Sequence, residues 1–486
     1  MPGARRWPMT DVAFTDEGFR DGPQSLWGSR MSTETMVDGA ALVDAAGYEK
    51  SVVISGATFE AAVQHLREDP WQRLDAVTAL LPGTPPVAQI RGRTLFGWKQ
   101  YSDDVLELFM TTLAKHGIQW FLVYDALNDM RMIEQHVRVA HQLGLRVTVP
   151  ICYSVSPVHT PEYFAEVIGR AAGMQAAGVS LLDASGLLSP TAAEELIATA
   201  RATLSGSATS LEMNVHDLTG RGLACYRVAM RAGVDVFASV PRAVAYDRAI
   251  PAVTDTLAAA VASGRTARLH RAAVDRVDDY FALAAYLQGQ PVPTSTPLTA
   301  DELDAFESHQ IPGGMMSNLV VQLRDLGIEH RLPEILTEVA RVREEFGYPV
   351  MVTPCSQMIG VQATLNVVGG QRYASVPTEV KNYFAGVYGT PPGKLDEDVL
   401  DRVLGDEPQV DPYEPLTEPM LPRFEREHGP FDSAEDLLLA VMYSTQAVST
   451  FYQQRRACRT RPRRPETALV AAVLERLRPT RLRIRL

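Results

Sequence analysis

Lysine is nearly absent. Lys50, Lys99, Lys115, Lys381 and Lys394 are all that 486 residues contain, so the interval from His116 to Val380 has none and supplies no lysine chemistry. Cysteine is equally sparse. Cys152, Cys225, Cys355 and Cys458 are scattered and form no paired-ligand spacing, which argues against a disulfide framework or a zinc ribbon and leaves free thiols. No run of about 20 apolar residues occurs, so no membrane span is expected. The opening Met1-Pro2-Gly3-Ala4-Arg5-Arg6-Trp7-Pro8 lacks the apolar segment of a secretory signal, and a cytoplasmic location is the expectation.

What is present is unevenly charged. Eleven arginines against Glu466 and Glu475 give the stretch 455–486 about +9, so the other 454 residues carry about −21 of the total −12. An acidic body argues against nucleic acid as a partner. The basic tail suits docking on an acidic protein surface, or it is simply a solvated end. At this length, a barrel-sized unit followed by a second region is the natural division.

The densest chemistry lies near the start. In Phe14-Thr15-Asp16-Glu17-Gly18-Phe19-Arg20-Asp21-Gly22-Pro23-Gln24-Ser25 a short apolar strand runs into acids, an arginine and a glutamine. In a barrel enzyme the end of a first strand faces the active site, so this cluster reads as catalytic equipment. Strands are predicted near Val12–Thr15, Ser51–Ile54, Val87–Arg91, Trp120–Tyr124, Arg146–Ile151, Val179–Leu182, Leu211–Val215 and Val234–Ala238, with helical periodicity between them. Eight such strands with long crossovers make a (β/α)8 barrel. Gly47 and Gly233 stand where the helices before the second and eighth strands must stop. After about Ser295 the pattern turns mostly helical, which sets expected units of 1–295, 296–454 and the basic tail 455–486.

The opening cluster resembles the D-x-x-x-R-D-x-x-Q start of metal-dependent barrel enzymes that handle enolates. Further segments match in register: Gly56-Ala57-Thr58-Phe59, Arg91-Gly92, Asp125-Ala126-Leu127-Asn128-Asp129, Val155-Ser156-Pro157-Val158-His159-Thr160, Ile311-Pro312-Gly313-Gly314-Met315, Gly347-Tyr348-Pro349 and Val352-Thr353-Pro354. Together they resemble the carboxyltransferase family of biotin-dependent enzymes: the carboxyltransferase part of pyruvate carboxylase, the oxaloacetate decarboxylase alpha subunit and the transcarboxylase keto-acid subunit. The resemblance implies a barrel followed by a helical funnel, paired as a homodimer. It also implies carboxyl transfer to or from a 2-oxo acid through an enolate, with biotin brought by a carrier protein.

By the same resemblance Arg20 lies beside the metal-binding aspartate, which is Asp21. Gln24 is a substrate-positioning amide, Arg91 stands over the substrate oxygen and carboxylate, and Thr353 is a proton shuttle, with Ser356 nearby in the biotin pocket. Each also has an ordinary structural use. An arginine after a strand can bridge barrel loops, and a threonine before proline suits a turn or cap.

The metal half of the pattern is broken. The family's ligands are an aspartate, a carbamylated lysine and two histidines. Leu182 stands at the lysine position, and Asn214-Val215-His216 replaces a His-x-His pair whose side chains both point inward. Asp21 and His216 remain, with Asn214 offering only a neutral oxygen suited to a hard cation. Strand alternation turns Asp183 and Asp217 away. No tightly bound metal is expected, at most a weak divalent cation. Trp98 takes the place of a biotin-contacting tyrosine, and no Met-Lys-Met attachment site occurs in the C-terminal region, so biotin would reside on a separate carrier.

The expectation is therefore a carboxyltransferase-like enzyme that acts on a 2-oxo acid of the pyruvate, oxaloacetate or malonyl type by carboxyl transfer or decarboxylation. Two rivals remain: a non-catalytic, partner-binding subunit, and an aldol-type condensation or cleavage lyase, since the opening also resembles the homocitrate and isopropylmalate synthases.

Overall fold

The computed structural model describes residues 11–97 and 99–443. Trp98, Cys458 and the basic tail lie outside the described residues. Eight parallel strands run in chain order around a closed barrel: β1 Asp11–Asp16, β2 Lys50–Ser55, β3 Pro86–Arg91, β4 Trp120–Tyr124, β5 Arg146–Cys152, β6 Gly178–Asp183, β7 Ser210–Val215 and β8 Val236–Ser239. Closure comes from β1, which pairs with β8 on one side and with β2 on the other. All eight predicted strands are present, with ends displaced by at most two residues. Their β-branched and aromatic content, buried on both faces, is what a parallel barrel strand requires.

Helices follow the strands and cover the barrel. Gly47 and Gly233 adopt φ of 84° and 88°, the left-handed conformation that ends the helices Thr33–Ala46 and Gly222–Ala232 and turns the chain into β2 and β8. At the N-terminal end of the strands Lys50 is fully buried. Its ammonium meets both carboxylate oxygens of Glu212 at 2.6 and 2.7 Å and lies 4.2 Å from the Trp120 ring centroid. The one lysine inside the barrel thus stiffens its base, well away from the catalytic end.

Between Ala300 and Met442 the described elements are all helical. Ile311, Leu323, Ile335, Val339, Phe346, Ile359 and Phe384 form a second apolar core. The chain then returns to the barrel. Leu437–Leu439 and Val441–Tyr443 join the barrel's own core, with Tyr443 stacked on Phe59 at 6.2 Å between ring centroids. Lys115 fastens this last helix through Glu435 at 2.8 Å. No helix among the described residues is long and apolar enough to cross a membrane.

Candidate active site at the barrel mouth

The predicted residues gather at the C-terminal ends of the strands. Just past β1, the backbone turns tightly: the N–H groups of Arg20 and Asp21 donate to the Glu17 carbonyl at 3.1 and 2.9 Å. The turn folds Glu17, Arg20 and Asp21 inward, and all three are buried. Arg20 grips Oε2 of Glu17 through Nε and a terminal nitrogen, both at 2.7 Å, and reaches Asp21 Oδ1 at 3.1 Å. Asp21 in turn lies 3.3 Å from Nε2 of His216, which follows β7. The Nδ1 of His216 donates to the Arg248 carbonyl at 2.7 Å, which leaves Nε2 facing the carboxylate.

Burial alone would neutralise these groups, and the pairing reverses it for some. Burial raises the Asp21 carboxyl, but His216 and Arg20 outweigh it and hold the group below its usual range. For His216 burial pulls down while Asp21 pulls up more strongly, so the imidazole is shifted toward its charged form. Glu17 goes the other way: desolvation drives it up against the pull of Arg20.

Gln24 accepts from the Ser55 hydroxyl at 3.0 Å, and Ser55 caps the helix Gly56–Ala61 reciprocally with Thr58. Arg91 closes β3 and donates to the Gly97 carbonyl at 2.7 Å. A side chain at Gly56 would come within 3.3 Å of its guanidinium, so the glycine of that motif makes room for the arginine. Tyr124 ends β4 as the register partner of Arg91 on β3, and burial raises its phenol while the charge of Arg91 pulls it back.

Opposite the charges lies an apolar wall. Cys152, Leu182 and Asn214 are successive register partners across β5, β6 and β7. Leu182 packs with Tyr124, Cys152, Val350 and Val352. Since Val352 belongs to this wall, the next residue, Thr353, is brought to the mouth. Its hydroxyl accepts from Gln357 Nε2 at 3.0 Å, and buried Ser356 donates to the other end of the same amide at 3.0 Å.

These donors do not fit a divalent metal. Leu182 is aliphatic in an aliphatic cluster, Asn214 directs its amide hydrogens to Glu17 at 3.3 Å, and Asp21 pairs with His216 at 3.3 Å and Arg20 at 3.1 Å, although neither of its oxygens has a hydrogen-bond partner among the described residues. Asp183 accepts from the backbone of Ser185 and Leu188, and Asp217 from Gly222 and Ser295, so neither serves as a substitute. Among the described residues, no three His, Cys, Asp or Glu side chains form a group that could hold a metal ion.

Glu17, Tyr124 and Gln357 adjoin the candidate residues Arg20, Arg91 and Thr353 but were not singled out by the motifs. A cavity of about 870 Å3 also exists, but it lies at the opposite end of the barrel among strand starts such as Trp120, Arg146 and Ser210 and contains none of this chemistry.

A closed parallel barrel with arginines, carboxylates, a histidine and a tyrosine gathered at one mouth has the build of an enzyme for an anionic substrate. Known proteins narrow the class. A family described as a conserved carboxylase domain matches residues 307–478, and an HMGL-like family matches residues 109–240. A pyruvate carboxylase subunit of Methanothermobacter thermautotrophicus is 33% identical over 441 residues, 90% of this chain and 76% of that one. The methylmalonyl-CoA carboxyltransferase 5S subunit of Propionibacterium freudenreichii is 34% identical over 393 residues, 80% of this chain and 76% of its own. The carboxyl transferase domain of Rhizobium etli pyruvate carboxylase, solved with oxamate and biotin, superposes with a TM-score of 0.84 at 25% identity, covering 92% of this chain and 78% of that one. The chain belongs to the carboxyltransferase family of pyruvate carboxylase, and its metal site is not intact.

Proposed function

We propose that the chain binds a 2-oxo acid between Arg20 and Arg91 and carries out carboxyl transfer or decarboxylation through its enolate. The observation that carries this reading is that Arg20, just past β1, and Arg91, the last residue of β3 and register partner of Tyr124, stand at the same end of the barrel. In this reading Arg91 takes the substrate carboxylate and Gln24 orients the acid. Arg20 faces the oxygen on which negative charge develops, where a fixed guanidinium in a buried site is worth far more than in water. For an oxaloacetate-like acid, the bond to the departing carboxyl breaks, CO2 leaves, and its electron pair forms the enolate. A proton then reaches the carbon, and the Thr353 hydroxyl, held by Gln357, is the group placed to pass it on. Decarboxylation asks less than carboxylation, since stabilising the enolate alone lowers the barrier.

Carboxyl transfer would use biotin on a separate carrier protein, entering beside Ser356. The homologous domain solved with oxamate and biotin supports that assignment. A homodimer is the proposed assembly. The test is to follow oxaloacetate decarboxylation and deuterium exchange into the pyruvate methyl group by NMR, with chelator-treated protein, with and without free biotin. Activity in either assay is the expected result. Failure of both, with no binding of oxamate, would favour the second reading, a non-catalytic subunit, which the misfit of the metal donors also favours.

A further inference from the structure

Glu17 is the one acid of the opening cluster that no motif explains, yet it is among the most confined. It is 1% exposed, and its two oxygens face two different partners. Oε2 takes the Nε edge of Arg20, and Oε1 takes the amide of Asn214 at 3.3 Å across 197 residues of sequence. The Asn214 carbonyl oxygen is buried without a partner. Reversing that amide would set its oxygen against the Glu17 carboxylate, so Glu17 fixes which way Asn214 faces.

The contacts run on as a row, Glu17 to Arg20 to Asp21 to His216. In a buried setting each member would be costly alone, because an uncompensated charge there costs several kcal/mol. A divalent cation would have to pull Asp21 off His216 and Arg20. Arg20 and His216 thus supply the positive charge beside Asp21, whose two oxygens lack a hydrogen-bond partner among the described residues.

We propose that Glu17 and Asn214 are the positioning pair of a metal-independent pocket, holding the Arg20 guanidinium as the fixed electrophile for the oxyanion of a bound 2-oxo acid. This rests on the reading of the mouth as a 2-oxo acid site. The clamp uses the Nε edge, which immobilises the planar fork of the guanidinium as a unit. A group so held needs no reorganisation when charge develops. A merely structural ion pair would have no reason to treat the ground state and the reacting state differently.

The test uses the full chain after chelator treatment, with Glu17→Gln, Glu17→Ala and Asn214→Ala. Oxamate binding is read by calorimetry and enolisation by deuterium exchange into the pyruvate methyl group. Glu17→Gln removes a repelling charge, so oxamate should bind as well as to wild type or better, while exchange slows by roughly tenfold or more. Asn214→Ala should move both readouts in the same directions by less. Exchange at the wild-type rate, or equal losses in binding and exchange, would overturn the positioning role. If the wild-type chain neither binds oxamate nor exchanges pyruvate, the 2-oxo acid reading fails by itself. The crystal structure of Glu17→Ala then decides the clamp: a displaced Arg20 guanidinium supports it, and an unmoved one overturns it.

Discussion

Leu182 and Asn214 stand side by side as register partners on β6 and β7, one packed into an apolar wall and the other turned toward a carboxylate. They fill two adjacent positions at which the family pattern calls for metal ligands, and each has acquired its own unrelated set of contacts.

Purified protein treated with chelator should therefore hold no stoichiometric zinc, cobalt or manganese by elemental analysis. Leu182→Lys with Asn214→His should raise metal affinity about tenfold or more, whereas either change alone should leave it close to wild type. One metal per chain retained by the wild type would show ligands outside this set.

Arg20→Ala and Arg91→Ala should each weaken oxamate binding roughly tenfold or more, the loss of a charge-assisted contact worth about 1.5–3 kcal/mol. Calorimetry checks this. Wild-type affinity in both variants would place the acid elsewhere.

Stability should depend on pH through Asp125. Burial first, and Asp129 second, push its carboxyl up to about 7, against two backbone N–H groups that donate to it. The folded state thus holds a proton that the unfolded chain releases near 3.8. The contribution is fully present below that value and is lost as pH rises through about 7. Asp125→Asn keeps the acceptor oxygen without the charge, so the variant should melt higher than wild type at pH 8, and the gap should be clearly smaller at pH 5 and close only below about 3.8. An equal gap at pH 8 and pH 5 would contradict the shift.

The segment that returns to the barrel should matter for stability as much as a barrel helix does. Leu438 is fully buried in the barrel core, so Leu438→Ala should cost about 2–5 kcal/mol. A denaturant titration showing an unchanged midpoint would mean the helix Ala434–Met442 is not seated there.

Light scattering should report twice the mass of one chain at micromolar concentration, as the proposed homodimer requires. A stable monomer would count against it.

Much of this is legible in the sequence alone. The eight strands carry enough β-branched and aromatic residues, and enough helix stops such as Gly47 and Gly233, to give their order and ends. The opposite facing of Leu182 and Asp183 follows from strand alternation. Glu17 is harder, because it sits after β1 in a tight turn where alternation no longer says which way a side chain goes. Its partner Asn214 is a neighbour only once the barrel closes. Tyr124 reads as one more aromatic strand residue until β3 and β4 pair and set it beside Arg91. The docking of Leu437–Tyr443 is invisible for a related reason: a short apolar helix announces that it covers something, but its sequence does not say which core.

The buried base of the barrel has a practical consequence. Lys99, Lys115 and Lys394 are exposed, whereas Lys50 is sealed against Glu212 and Trp120. An amine-reactive label should therefore mark the surface lysines quickly and reach Lys50 only when the strands separate. With so few competing amines, the mass of the peptide containing Lys50 becomes a clock for opening of the barrel, read without any engineered probe.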